Sequence, residues 1–243
     1  MKEVRDEAVV LRTYRLGESD RIVVFWGRES GKMRSIAKGV RKPGSKIGGG
    51  LEPLAHVDVY LAQGRGDLRI VRQATHRSRF AVVKASFDRI NAGYAIVEAV
   101  DAIPADDVPD EAIFTMLVRA LETLDREEFF PTLVPAAFFL KLLAHDGSEP
   151  VVDFCVNCQS PGPLVAFDAA NGGTTCAQCR TGRSLSAGAL SLLRRLCGGD
   201  LASVLREENP PAGGEVAALA QESLERHFGK RLKVARSTPA TEH

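Results

Sequence analysis

Four of the five cysteines fall as Cys155-Val-Asn-Cys158 and Cys176-Ala-Gln-Cys179, with 17 residues between the pairs. Each Cys-x-x-Cys can present two thiolates to one ion, and a connecting segment of this length lets the second pair fold back and complete a tetrahedron, the pattern of a zinc ribbon. Four thiolates fill the coordination sphere of one zinc ion and leave no place for a reactive water, so the expected metal holds shape and does no chemistry. Paired disulfides fit poorly with a cytoplasmic protein, and a redox dithiol has no need of a second pair at this spacing. The tetrathiolate would carry net negative charge that Arg180 and Arg183 are near enough in sequence to offset, unless they are simply solvated loop residues. Cys197 reads as a small buried hydrophobe.

A second candidate site is the segment Gly31 to Lys46, which holds Lys32, Arg34, Lys38, Arg41, Lys42 and Lys46 and no acidic residue, in a chain of formal charge +1. Clustered cations of this kind attract nucleic-acid backbones, because neutralising phosphates releases condensed counterions. Residues 1–80 carry 17 Lys/Arg against 9 Asp/Glu, and the remainder 15 against 22, so a +8 front joins a −7 rear. The front suits a polyanion and the rear suits protein partners; a solvated hairpin with no ligand is the plain alternative. If residues 32–38 alternate strictly, Lys32, Arg34, Ile36 and Lys38 share a face, and Ile36 is either turned inward by a bulge or is itself an exposed contact. Lys32, Arg34 and Lys38 are expected on fixed strand positions, and Arg41, Lys42 and Lys46 on a flexible loop beside the glycine-rich residues 44–50. Tyr14, Phe25, Trp26 and Tyr60 are candidate base-stacking aromatics, of which only some can face outward.

The elements that would position these residues change character near Phe80. Before it, runs at 8–14, 21–26, 32–38, 55–61 and 68–75 are short, rich in β-branched residues and separated by turn residues. Five such strands with no crossover helix predict a small closed antiparallel barrel of OB-fold size. After it the period becomes helical: Ala92, Ala95, Ile96, Ala99, Val100 and Ile103 form one stripe, and Ile113, Leu117, Leu121 and Leu124 another behind Pro109. A helix over 132–145 is apolar nearly all round, and further helices begin at Ser186, Asp200 and Glu215. The predicted class is therefore an α+β multidomain protein, with an N-terminal five-stranded OB-fold barrel (1–79) and an α-helical domain (80–243) that carries the four-cysteine ribbon as an insert at 153–182.

The 44% hydrophobic and 26% charged composition is that of a globular chain. No run approaches the roughly 18 apolar residues of a membrane span. The acidic N-terminus lacks the apolar core of a signal peptide, which gives the expectation of a cytoplasmic location without membrane contact. No nucleophile elbow, P-loop, zinc-protease helix or dinucleotide fingerprint is present, so no enzyme is expected. Three readings stay open on the residues alone: a DNA-binding protein, an RNA-binding OB module, and a zinc-ribbon adaptor that binds only proteins.

The order of these parts resembles the RecO family of bacterial recombination mediators. The resemblance is carried by Ala8 to Arg12 with Gly17 to Arg21, by Gly31 to Arg41, by Leu51-Glu52-Pro53-Leu54 and by His227 to Lys233. It implies an OB-fold that binds single- and double-stranded DNA and anneals complementary strands. It further implies RecR and the C-terminal tail of single-strand-binding protein as partners, and thereby RecA loading in RecF-pathway repair, in a nucleoid-associated setting. On this chain Lys32, Arg34, Lys38, Arg41 and Lys42 fall in the family's basic motif and the four cysteines in its ribbon. Some relatives lack those cysteines, which fits a structural metal. Lys230, Arg231 and Lys233 are candidates for meeting the acidic tail.

Overall fold

The computed structural model describes residues 3–45, 47, 50–64, 68–104 and 108–233; Lys46 lies outside the described residues. The chain divides into two compact units, 1–125 and 126–243.

In the first unit, strands β1 (Glu3–Leu16), β2 (Asp20–Gly27), β3 (Gly31–Ala37), β4 (His56–Gln63) and β5 (Arg69–Ser78) close a barrel in the order β1-β2-β3-β5-β4. The 14-residue β1 closes it by pairing with β2 along one stretch and with β4 along the other. This is the predicted OB-fold barrel, but not an all-antiparallel one: β3 and β5 pair in parallel, and β1 begins five residues earlier than its apolar run. Alternation supplies the core: Ala8, Val10, Val23, Phe25, Met33, Val57, Val59 and Leu61 all point inward. A register shift at Leu11 is what lets Val10 face inward and Arg12 and Tyr14 face outward on one continuous strand.

Three helices belong to the same unit: α1 (Ala81–Ala85), α2 (Phe87–Ala102) and α3 (Glu111–Leu124). The Asp125 carboxylate accepts from the backbone N–H of Val82 and Val83 and so caps α1. Asp110 caps α3 through Ile113 N–H, which leaves Pro109 just ahead of the helix rather than in its first turn. Arg89, buried on α2, donates to the last-turn carbonyl of Leu124 at 2.6 Å. α2 packs on β1, and Ala92, Ile96, Ala99 and Val100 are among its buried residues.

In the second unit a 3-10 turn (Pro131–Leu133) leads into α4 (Val134–His145), whose Phe138, Phe139, Leu140, Leu142 and Leu143 are all buried as its all-round apolarity requires. Strands β6 (Leu164–Asp168), β7 (Gly173–Cys176) and β8 (Arg183–Ser184) form a three-stranded sheet in the order β7-β6-β8. Helices α5 (Ala187–Cys197), α6 (Leu201–Val204) and α7 (Gly213–Phe228) complete the unit. Ser186 caps α5, and its N–H and hydroxyl both donate to Glu215 of α7, at 2.9 and 2.6 Å. Among the described residues no helix is long and apolar enough to cross a membrane.

Candidate functional site

The ribbon sheet brings the two cysteine pairs together. The first knuckle is a tight turn in which Gln159 N–H donates to Cys155 O and Cys155 N–H donates to Ser160 O. It is fastened to β7 by Val156 N–H donating to Thr174 O, and by the Thr174 hydroxyl donating to Phe154 O. The second knuckle follows directly from β7, so strand pairing sets its distance from the first. Gly182 lies at φ +80°, and a Cβ there would stand 2.1 Å from Phe167 O; only glycine lets the chain return beside β6.

The four Sγ atoms of Cys155, Cys158, Cys176 and Cys179 all lie within 4.8 Å of one another, with Cys158 and Cys176 at 3.7 Å. A tetrahedron with metal–sulfur bonds of about 2.3 Å has sulfur–sulfur edges of about 3.8 Å, so the donor set and its spacing fit one tetrahedral ion. The thiols differ in acidity. Burial opposes ionisation of Cys155, yet backbone N–H groups of Cys176, Cys158 and Asn157 bring it down to about 6. Hydrogen bonds with Cys158 and Cys176 push Cys179 up to about 12. Crowded thiols that resist ionising together are what a dication relieves. Arg180 donates to Ser184 Oγ at 2.6 Å, and Arg183 pairs with Glu222 at 3.6 Å; their contacts are to these groups. Cys197 is half-buried, and burial raises its thiol to about 11.

On the barrel, β3 pairs with β2 in unbroken register from Gly31 to Ala37, so the alternation is strict. Met33, Ser35 and Ala37 are buried, and Arg34 is exposed and Ile36 half-exposed on the opposite face; Lys38, expected on the strand, is exposed in the turn just beyond it. No bulge turns Ile36 inward. Lys32 shares that face but is largely withdrawn from solvent. Its ammonium donates to the carbonyls of Asp101 and Ile103 at 2.6 and 3.0 Å and lies 3.2 Å from the Asp101 carboxylate, with only 13% of the side chain exposed. It therefore caps the C-terminus of α2, where a cation meets the negative end of the helix.

The loop after β3 is also more ordered than its composition suggests. Arg41 N–H donates to Ser19 O, and its guanidinium donates to Glu18 O at 2.8 Å, so both tie Arg41 to the β1–β2 turn. Asp20 completes the clamp by accepting from Gly39 N–H at 2.7 Å, a bond that, with that from the Ser19 hydroxyl, holds its carboxyl below the usual value of 3.8. Arg41 is thus fixed, where a flexible loop was expected, and Lys42 extends exposed from the same turn.

Of the four aromatics, Phe25 and Trp26 are buried. Tyr60 is half-exposed but sits with Glu3, Arg5, Glu7 and Asp58. Tyr14 is the aromatic beside the cations: Arg34 donates to its hydroxyl at 2.6 Å, and the guanidinium carbons of Arg12 and Arg34 lie 5.6 and 5.9 Å from its ring centre. Arg12 also pairs with the buried Asp101 at 3.1 Å. Arg12 was not among the residues singled out for the interface. Its signal was the spacing Arg12-x-Tyr14, which puts both on one face of β1.

In the second unit Lys230 and Arg231 line a cleft of about 630 Å³ with Arg183, Glu222, Glu225 and Arg226. Glu222 pairs there with Arg183 and Arg226, so the cleft is less basic than its cations imply.

Comparison with known proteins covers both units. Residues 1–80 match the family model described as Recombination protein O N terminal, and residues 85–236 match Recombination protein O C terminal. A protein of Frankia casuarinae named DNA repair protein RecO is 39% identical over 233 residues, 93% of this chain and 96% of that one. A protein of Streptomyces griseus with the same name is 38% identical over 213 residues, 84% of this chain and 86% of that one. With matches to both halves in order, on a chain that folds as a barrel followed by helices and a cysteine ribbon, this protein belongs to the RecO family of DNA repair proteins.

Proposed function

We propose that this protein is a DNA-binding recombination mediator that anneals complementary strands and helps RecA load onto single-stranded DNA covered by single-strand-binding protein, in repair by the RecF pathway. The observation that carries the proposal is the basic edge of the barrel, where Arg34, Lys38, Arg41 and Lys42 stand on one strand and the turn beyond it, held by the clamp to β1–β2. Cations in fixed positions neutralise the phosphates of two strands and reduce their repulsion, so pairing proceeds without any covalent step. Lys32 belongs to the framework behind this edge.

In this reading residues 1–79 are the nucleic-acid-binding domain, for single- and double-stranded DNA, and residues 80–243 meet RecR and the acidic C-terminal tail of single-strand-binding protein. The cleft with Lys230 and Arg231 is the proposed seat of that tail. Cys155, Cys158, Cys176 and Cys179 hold one structural Zn2+, which supplies a cross-link for a ribbon too small to build a core of its own. The protein acts in the cytoplasm at the nucleoid. The test is annealing of complementary oligonucleotides coated with single-strand-binding protein. Acceleration by the wild-type chain, and little by the variant Lys38→Glu/Arg41→Glu/Lys42→Glu, is the expected result. Equal acceleration by both would overturn the assignment to this edge.

A further inference from the structure

The four cysteines of the ribbon are alike in chemistry and unlike in reach. Cys155 and Cys176 are 0% and 5% exposed, Cys179 is half-buried, and Cys158 is exposed. Cys158 closes the first knuckle between Asn157 and Gln159, both exposed, with Gln159 turning back at φ +61°. An oxidant arriving from solvent therefore meets the Cys158 sulfur first. The Cys176 sulfur stands 3.7 Å behind it, across the gap between the two knuckles. A sulfur–sulfur bond is about 2.05 Å long, so only a short closure separates this pair from a disulfide.

Metal ligation keeps these sulfurs as thiolates, the form that reacts with hydroperoxides. The Cys158 thiolate attacks one oxygen of hydrogen peroxide, the O–O bond breaks and hydroxide leaves, giving a sulfenic acid at Cys158. The Cys176 thiolate then attacks that sulfur and expels a second hydroxide, which closes the disulfide. Two electrons pass from the two sulfurs to one peroxide, and two protons from solvent turn the hydroxides into water. Cys155 and Cys179 remain as thiolates, too few to fill a tetrahedral site.

The consequence is directional. Cys176 stays fixed at the end of β7 and joined to the first knuckle, whereas Cys179 loses its tether. Beyond Cys179 the chain passes through Thr181, whose bonds to the Thr175 hydroxyl are 3.2 and 3.4 Å, into β8, which pairs with β6 over two residues only. Arg183 of that strand reaches Glu222 of α7 at 3.6 Å and lines the cleft with Lys230 and Arg231.

We infer that the ribbon is a reversible redox switch, in which a hydroperoxide joins Cys158 to Cys176, releases the zinc and loosens the strand that carries Arg183 to the cleft. The inference rests on the metal reading above and adds a signal that acts on it. Because the disulfide keeps the knuckles joined, a dithiol reductant and zinc restore the starting state.

The experiment treats the zinc-loaded full-length protein with hydrogen peroxide and reads metal, thiols and backbone together. A colorimetric chelator is expected to register about one zinc released per chain. Thiols titrated in denaturant should fall from five to three, and peptide mapping should find Cys158 linked to Cys176. Trypsin should cut after Arg180 and Arg183 faster than in untreated protein, and dithiothreitol with zinc should reverse all these readings. Cys158→His keeps a metal ligand without the sulfur and should hold its zinc through the treatment. Cys197→Ser, outside the ribbon, should respond as the wild type does. The wild-type map decides the pairing even where Cys158→His binds no metal. Zinc retained, a disulfide within one knuckle, or unchanged cleavage at Arg180 and Arg183 would each overturn the switch while leaving a structural zinc standing. Absence of zinc from the untreated protein would remove the metal reading, and the switch with it.

Discussion

Replacing Lys32 by alanine separates framework from interface more sharply than any other single change. Lys32 and Asp101 are 13% and 6% exposed at their side chains, and the ammonium also satisfies the carbonyls of Asp101 and Ile103 at the end of α2. Removing one partner of a buried ion pair costs about 3–5 kcal/mol, because the other charge is left uncompensated. Arg12 remains 3.1 Å from Asp101, which keeps the expected loss near the low end, about 3 kcal/mol. For a chain of this size that lowers the melting temperature by roughly 6–12 °C. Thermal unfolding followed by circular dichroism measures the loss. Anisotropy with single-stranded DNA, at a temperature where the variant is folded, measures the interface. Lys32→Ala should lose stability and keep most of its affinity, whereas Arg34→Ala should do the reverse. A Lys32→Ala protein as stable as wild type that binds DNA poorly would refute the assignment of Lys32 to the α2 cap.

Elemental analysis should find about one zinc per chain in the wild type and none in Cys155→Ser. Because all four sulfurs must ionise to bind the metal and Cys179 is pushed up to about 12, metal affinity should fall as pH falls, read by competition with a colorimetric chelator. The Asp20 clamp has the opposite polarity to a raised group: its carboxyl is held below 3.8, so its contribution is complete above that value and fades as pH drops toward its lower folded value. The stability difference between wild type and Asp20→Ala should accordingly be constant at pH 5–7 and shrink below about pH 4, by denaturant titration at each pH. Ser186→Ala removes an α5 cap and strands one Glu215 contact; it should cost about 1 kcal/mol in urea unfolding, while an unaltered midpoint would contradict the role given to Ser186.

Local pattern carried much of this architecture. The two Cys-x-x-Cys knuckles were legible because tetrahedral ligation constrains residue type and spacing together, and a helix as apolar as α4 has few places to be but inside. The outward face of β3 was legible too, since strict alternation of Lys32, Arg34 and Ile36 needs no information from elsewhere. What local pattern does not contain is the partner far along the chain. Lys32 looks identical to Arg34 in a strand, and only the arrival of Asp101, 69 residues later, turns it from interface to cap. The order of the Arg41 loop likewise comes from the turn at Glu18–Asp20, not from its own glycines and lysines. The early start of β1 is a matter of pairing with β4, which gives Glu3 and Arg5 a place in the sheet that their own propensities do not request. α1, at five residues, is too short to display a period and depends on the distant Asp125 for its cap.

The claim on which the account turns is that Lys38, Arg41 and Lys42 meet phosphate. Its most direct measurement is the salt dependence of single-stranded DNA affinity for wild type and for Lys38→Ala/Arg41→Ala/Lys42→Ala. Each phosphate contact to a single strand contributes about 0.7 to the slope of log affinity against log salt, so losing three should flatten the slope by about 2. Parallel lines for the two proteins would contradict the account.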